Sequence, residues 1–152
     1  MALTVPQSLK KEHEELHAEL VAATKAGGRI GAAATAVAQV LHPHFMKEEE
    51  YALPPLGVLT ILADDRLPAD ISAIIAMTDR LKKELNLMLH EHKAVIAALN
   101  KLIEAAEKER KSQYVHFAEK LKLHAQMEEE VLYPAAIVIG EYLKKKDSST
   151  KG

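Results

Sequence analysis

The chain has 152 residues, of which 48% are hydrophobic and 28% are charged, as in a soluble domain large enough to bury a core. A formal net charge of −2 gives no single-sign field that would favour nucleic acid or an acidic membrane surface. Cysteine is absent, which excludes disulfides, thiolate zinc sites and cysteine-ligated iron–sulfur clusters.

Apolar residues recur with a helical period over 7–26, and a glycine-rich break follows them. A second helix is predicted over about 32–52, with a kink or a loosened turn at Pro43. The apolar stretch 54–68 is bounded by prolines, and we expect it to be a connection with a short helical piece that covers the bundle.

A long helix is predicted over roughly 70–107, with Asp70 as its N-cap. The charged run 107–112 then predicts a turn. The last helix is predicted over about 113–145, with Pro134 as an internal interruption.

Four major helices predict an all-α fold, an up-down-up-down four-helix bundle. We expect one domain over 1–152, with the bundle over about 7–146 and a disordered tail over 147–152. The N-terminal sequence lacks the apolar run of a signal peptide, and no segment is apolar enough to span a bilayer. A cytoplasmic location is therefore expected.

One motif occurs twice in the chain. HFMKEEEYALP begins at His44, and HAQMEEEVLYP begins 80 residues later at His124. The histidine, three glutamates and the proline recur at matching offsets, while most of the residues between them differ. His44 and Glu48 lie one helical turn apart on the same face, and so do His124 and Glu128.

The other two major helices share a second, shorter pattern, which is EHEEL at His13 and EHKAV at His92. Apolar residues follow each histidine at i+3 and i+7, which predicts that both lie on buried stripes. His13 and His44 are equidistant from the glycine-rich break, and His92 and His124 are equidistant from the charged run. Paired hairpins would thus bring four histidines and two glutamates together in the core.

Such a set is chemically costly unless it binds cations. Two ionised carboxylates buried without compensation would cost several kcal/mol each. Imidazole suits iron, copper, nickel and zinc, and two bridging carboxylates suit a pair of such ions. The spacing His-x-x-x-Glu differs from the Glu-x-x-His of ferritin-like bundles.

At these four motifs the chain resembles the haemerythrin-like (HHE cation-binding) family, over about residues 9–140. The resemblance implies a non-haem di-iron centre inside a four-helix bundle, completed by an oxo or hydroxo bridge. It implies four terminal iron ligands and two bridging ligands, which are His13, His44, His92 and His124, and Glu48 and Glu128. Zinc or manganese could occupy such ligands as well.

The chain departs from the oxygen-carrying members of that family at two points. Their third helix carries His-x-x-x-His, whereas Met88 stands four residues before His92 here, and His17 is an alternative that could fill the vacancy. Their last-helix spacing would select Glu129, whereas the internal repeat selects Glu128. The donor set is more similar to that of the iron-centre repair proteins.

These features predict a di-iron protein that binds or senses O2, NO or peroxide, or that donates iron, more than a turnover enzyme. An unidentified redox partner is expected, but no nucleic acid or membrane partner. One alternative is a di-iron enzyme consuming peroxide or NO, which would need electrons, and no cysteine pair or flavin signature supplies them. Another alternative is a metal-free helical interaction module.

Overall fold

The structure, a computed structural model, describes residues 3–151, and the side chains up to residue 147. Its elements, in chain order, are α1 (Gln7–Thr24), α2 (Gly28–Lys47), a first π-helical segment (Glu48–Ala52), a 3₁₀ segment (Pro54–Val58), α3 (Leu59–Ala63), α4 (Ile71–Lys108), α5 (Ser112–Met127), a second π-helical segment (Glu128–Leu132) and α6 (Tyr133–Lys151). No strand is present between residues 3 and 151.

The major helices form the predicted four-helix bundle. Helix α1 packs against α2 and α5, and α4 packs against α2, α5 and α6. Because α5, the second π-helical segment and α6 are continuous, they act as one long fourth helix. The all-α bundle prediction is therefore confirmed. The 3₁₀ segment contacts α3, α4, α6 and the first π-helical segment, so the connection covers one end of the bundle as expected.

The two hairpin turns occur where the sequence predicts them. Gly27 and Gly28 have φ angles of 75° and 57°, which a residue with a side chain rarely adopts, and they join α1 to α2. Arg110 has φ 56° in the turn between α4 and α5. Asp70 caps α4, since its carboxylate accepts a hydrogen bond of 3.3 Å from the backbone N–H of Ala73.

Both copies of the repeated motif contain a widened helical turn. Helix α2 runs through Pro43, and the loosened turn expected there occurs later, in the first π-helical segment, where the N–H of Leu53 bonds the carbonyl of Glu48 at 2.8 Å. The second π-helical segment ends just before Tyr133 and Pro134. The expected interruption of the last helix at Pro134 is therefore a widened turn and not a break. Widened turns of this kind occur often at functional sites.

The core consists of two apolar clusters separated by a polar layer. One cluster lies toward the hairpin turns and includes Leu16, Val37 and Leu99, while the other lies toward the opposite end and includes Leu81 and Leu143. Apart from Thr78 and two tyrosines, the buried polar side chains of the described part are those of His13, His44, Glu48, His92, His124 and Glu128. The six residues singled out in the sequence thus form the layer between the clusters.

Helix α6 is continuous to Lys151, past the predicted end of the last helix. The disordered tail expected over 147–152 stays a prediction, because Gly152 and the side chains of 148–151 lie outside the described residues. Within the described range, no helix combines the length and the apolar character needed to cross a membrane.

Candidate metal centre

Each major helix contributes one histidine to the polar layer, and each π-helical segment contributes its first residue. The histidines are His13 on α1, His44 on α2, His92 on α4 and His124 on α5. Glu48 is 0% exposed and Glu128 is 1% exposed, so both carboxylates are removed from water. The structure therefore brings all six predicted side chains together in the interior.

Their donor atoms form two groups that could each hold a metal ion. One group consists of His44, His92, Glu48 and Glu128, and the other consists of His13, His124 and Glu128. Within each group, one donor atom from every residue lies within 4.8 Å of the others. The groups share Glu128.

The carboxylate of Glu128 faces both groups at once. Its Oε1 lies 3.2 Å from Nε2 of His92. Its Oε2 lies 3.2 Å from Nε2 of His124 and 3.6 Å from Nε2 of His13. A carboxylate with one oxygen toward each group has the geometry of a bridging ligand.

Glu48 lies within the first group only, with Oε1 3.1 Å from Nε2 of His44. That contact lacks hydrogen-bond geometry, and neither Glu48 oxygen has a hydrogen-bond partner among the described residues. Oε2 of Glu128 also has no hydrogen-bond partner among the described residues. Buried, unpaired carboxylate oxygens are costly in a metal-free protein and become favourable when they bind a cation, so these residues fit a metal centre.

A carboxylate outside the layer orients the imidazole of His44. Nδ1 of His44 donates to Oε1 of Glu91 at 2.9 Å, which turns Nε2 toward the centre. Nζ of Lys47 donates to the other oxygen of Glu91 at 2.6 Å and so fixes that carboxylate in place. When a carboxylate accepts a hydrogen bond from the other ring nitrogen of a metal-binding imidazole, it determines the tautomer and raises the basicity of the ring.

Two further imidazoles are oriented in the same way. Nδ1 of His92 donates to Glu129 at 3.0 Å, and Nδ1 of His124 donates to Glu12. Nδ1 of His13 has no hydrogen-bond partner among the described residues. The sequence did not identify Glu12 or Glu91 as functional, although the repeated Glu-His pair in EHEEL and EHKAV was a signal that could have found them.

Burial determines how these imidazoles ionise. Desolvation lowers the pKa of His92 and His124, and the charge of a neighbouring histidine lowers it further, so both favour the neutral form. Nε2 of His124 also lies 3.0 Å from Nε2 of His13. Burial also opposes the charge of His44, but the carboxylates of Glu48 and Glu91 raise its pKa above the ordinary value.

Aromatic side chains enclose the two groups differently. The hydroxyl of Tyr133 lies 3.1 Å from Nε2 of both His44 and His92, and burial raises the pKa of Tyr133, so it remains a neutral phenol. The ring of Phe45 stacks on His13, with centroids 4.3 Å apart and planes 12° apart. Sequence patterns do not distinguish Tyr133 from a tyrosine of the apolar core, since Leu53 stands at the equivalent position of the first motif.

The remaining sequence candidates lie outside the two donor groups. His17 is exposed, and Met88 is fully buried with its sulfur accepting a 3.6 Å hydrogen bond from Tyr51. Glu129 contacts Nδ1 of His92 and not the centre, so the repeat rather than the carrier spacing identifies the inward glutamate. The other histidines are exposed, namely His42, His90 and His116.

Comparison with known families gives one finding. Residues 83–148 match the family model described as Hemerythrin HHE cation binding domain, and this range includes His92, His124 and Glu128. Searches of curated proteins and of solved structures give no match. The expected resemblance to the haemerythrin-like family is therefore confirmed over residues 83–148.

Proposed function

We propose that this chain is a non-haem di-iron protein that binds or senses O2, NO or peroxide, or that donates iron. One observation carries the proposal: four imidazole Nε2 atoms and the unpaired oxygens of Glu48 and Glu128 converge between two apolar clusters. A bundle held together by its hydrophobic core alone would be more stable without buried, unpaired carboxylates.

Two ions per chain are supported by the division of the donors. The pair His44 and His92 would hold one ion, and the pair His13 and His124 would hold the other. Glu128 would bridge them, since each of its oxygens faces a different pair. The sequence-based role of Glu48 as a second bridge remains part of the proposal.

Iron is favoured by the chemistry of the donor set. Imidazole and carboxylate without thiolate suit iron, and zinc or manganese can occupy the same donors. Bound iron would supply the redox chemistry that ligands such as O2, NO and peroxide require. Two imidazoles and shared carboxylates leave coordination positions free for a small ligand.

The protein's own side chains would supply three further things. The two apolar clusters and Phe45 exclude water from the donors. Glu12, Glu91 and Glu129 hold three imidazoles with Nε2 inward. The neutral hydroxyl of Tyr133 offers a hydrogen-bond donor beside the His44 and His92 pair. A cytoplasmic location and an unidentified redox partner belong to the same proposal.

Loading the metal-free protein with Fe²⁺ without oxygen, removing unbound metal and then admitting air tests this function. Charge-transfer absorption in the near ultraviolet and two irons per chain are expected, one for each donor group. Stoichiometric NO binding would support a sensing role, whereas transfer of iron to an acceptor would support donation. A colourless protein with less than one metal ion per chain would remove the proposal.

A further inference from the structure

Each helical hairpin has a groove beside the polar layer, and the two grooves differ in size. The groove between α4 and α5 is a cavity of about 350 Å³ that Ile96, Ala125 and Glu129 help to line. The groove between α1 and α2 holds a cavity of only about 50 Å³, and His17 and Phe45 help to line it.

Some of the positions that line the two grooves correspond in the internal repeat. Ile96 lies four residues after His92, as His17 lies four residues after His13. Phe45 and Ala125 are separated by the same 80 residues that separate the two motifs. In each groove, the residue directly after the motif histidine is therefore part of the lining. This residue is phenylalanine in the small groove and alanine in the large one.

The phenylalanine at this position narrows one groove, and the alanine leaves the other wide. The ring of Phe45 fills the space against His13, at a centroid distance of 4.3 Å. Ala125 has only a methyl group, so the equivalent space between α4 and α5 remains part of the larger cavity. Glu129 lines that cavity, and its side chain is 40% exposed. Its carboxylate also accepts a hydrogen bond from Nδ1 of His92. The open groove thus leads from solvent to a side chain bonded to a candidate ligand.

We propose that metal ions enter and leave the centre through the groove beside Ala125, while Phe45 closes the equivalent path in the other hairpin. This inference rests on the proposed metal centre. Glu119 and Gln126 also line the open groove and offer oxygen atoms to a partly hydrated cation. Lys122 lines it too, and its ammonium group donates to Asn100 at 3.1 Å. The small groove, apart from the exposed histidines His17 and His42, is lined mainly by apolar side chains.

The rate at which Co²⁺ enters the metal-free protein tests the route, because bound Co²⁺ is followed by its visible absorption. Ala125→Phe places in the open groove the residue that closes the other one. It is expected to slow both Co²⁺ loading and Co²⁺ release to EDTA by about tenfold, a change of about 1.4 kcal/mol in each barrier. Phe45→Ala is the reciprocal variant and is expected to accelerate both rates by opening a second path.

A surface pair of variants keeps the test valid if Ala125→Phe does not fold. Gln126 is exposed and lines the mouth of the open groove, so Gln126→Trp is expected to slow loading and release. Met46 is its equivalent in the first hairpin and is 60% exposed, so Met46→Trp is the matched control and is expected to leave both rates unchanged.

The final Co²⁺ stoichiometry and the rates report on different claims. A variant with unchanged stoichiometry and slower exchange supports the route. Unchanged rates in both Ala125→Phe and Gln126→Trp would overturn it, as would an acceleration in Phe45→Ala without slowing in the other two. If the unsubstituted protein binds no Co²⁺ and no Fe²⁺, the metal centre itself fails, whatever the rates.

Discussion

Glu128→Gln should have opposite effects on the metal-free and metal-loaded protein. Glutamine has nearly the same volume as glutamate, so the substitution tests charge and ligand chemistry rather than packing. Glu128 is 1% exposed and faces three imidazoles at 3.2 to 3.6 Å. Because each of its oxygens faces a different donor group, one substitution reaches both proposed metal positions.

In the metal-free protein, the substitution is expected to be neutral or stabilising. Burial lowers the pKa of His92 and His124, so their Nε2 atoms carry lone pairs and face carboxylate oxygens that are also acceptors. A glutamine side chain would remove a buried charge and would donate an N–H to one of those lone pairs. The unfolding free energy should therefore stay the same or rise.

In the loaded protein, the substitution should remove most of the stabilisation by metal. Each ion at 100 times its dissociation constant adds about 2.7 kcal/mol, so two ions add about 5 kcal/mol. For a chain of this length, that corresponds to a rise of about 10–20 °C in melting temperature. If the affinity at both positions fell by about 100-fold, most of this rise in melting temperature would be lost.

Thermal melts followed by circular dichroism, with and without Fe²⁺ under anaerobic conditions, measure both effects. Glu130→Gln is the matched control, because Glu130 lies in the same π-helical segment and is exposed. A Glu128→Gln variant with a lower metal-free melting temperature and an intact metal-dependent rise would contradict a ligand role for Glu128.

Three further predictions concern an orienting carboxylate, the packing of α6 against α4 and the removal of metal. Glu129→Gln should weaken metal binding by about 10- to 100-fold without changing stoichiometry, since it loosens the imidazole of His92, and competition with a chelator measures this. Gly140→Ala should lower the free energy of unfolding by about 1–3 kcal/mol, because its Cβ would lie 1.9 Å from Oγ1 of Thr78. Denaturant titration measures this loss, and an unchanged unfolding midpoint would contradict the prediction. Chelation of a loaded sample should lower its melting temperature but preserve its helix content, since both apolar clusters remain packed, whereas no change in melting temperature would favour a metal-free interaction module.

The bundle and its polar layer could be predicted because helical periodicity and the internal repeat are local signals. His44 and Glu48 share a helix face because of their spacing, and the same spacing recurs 80 residues later at His124 and Glu128. The apolar residues that follow His13 predict that it lies in the core. Each of these inferences needed only the geometry of one helix and the symmetry of the hairpins.

Features that depend on contacts between helices could not be predicted in the same way. Glu12 lies beside His13 in sequence but bonds His124, so its role depends on the packing of α1 against α5. The hydroxyl of Tyr133 reaches two imidazoles from other helices. Widening of the turn at Glu48 also changes which residues face inward, and a regular 3.6-residue period does not represent it.

The proposed two-metal centre is tested most directly by the iron content of protein loaded anaerobically and freed of unbound metal, compared with that of Glu128→Gln treated identically. Two irons per chain are expected in the unsubstituted protein, one for each donor group, and a large loss is expected in the variant. Equal iron contents in the two proteins, or fewer than one iron per chain in the unsubstituted protein, would contradict the proposed centre.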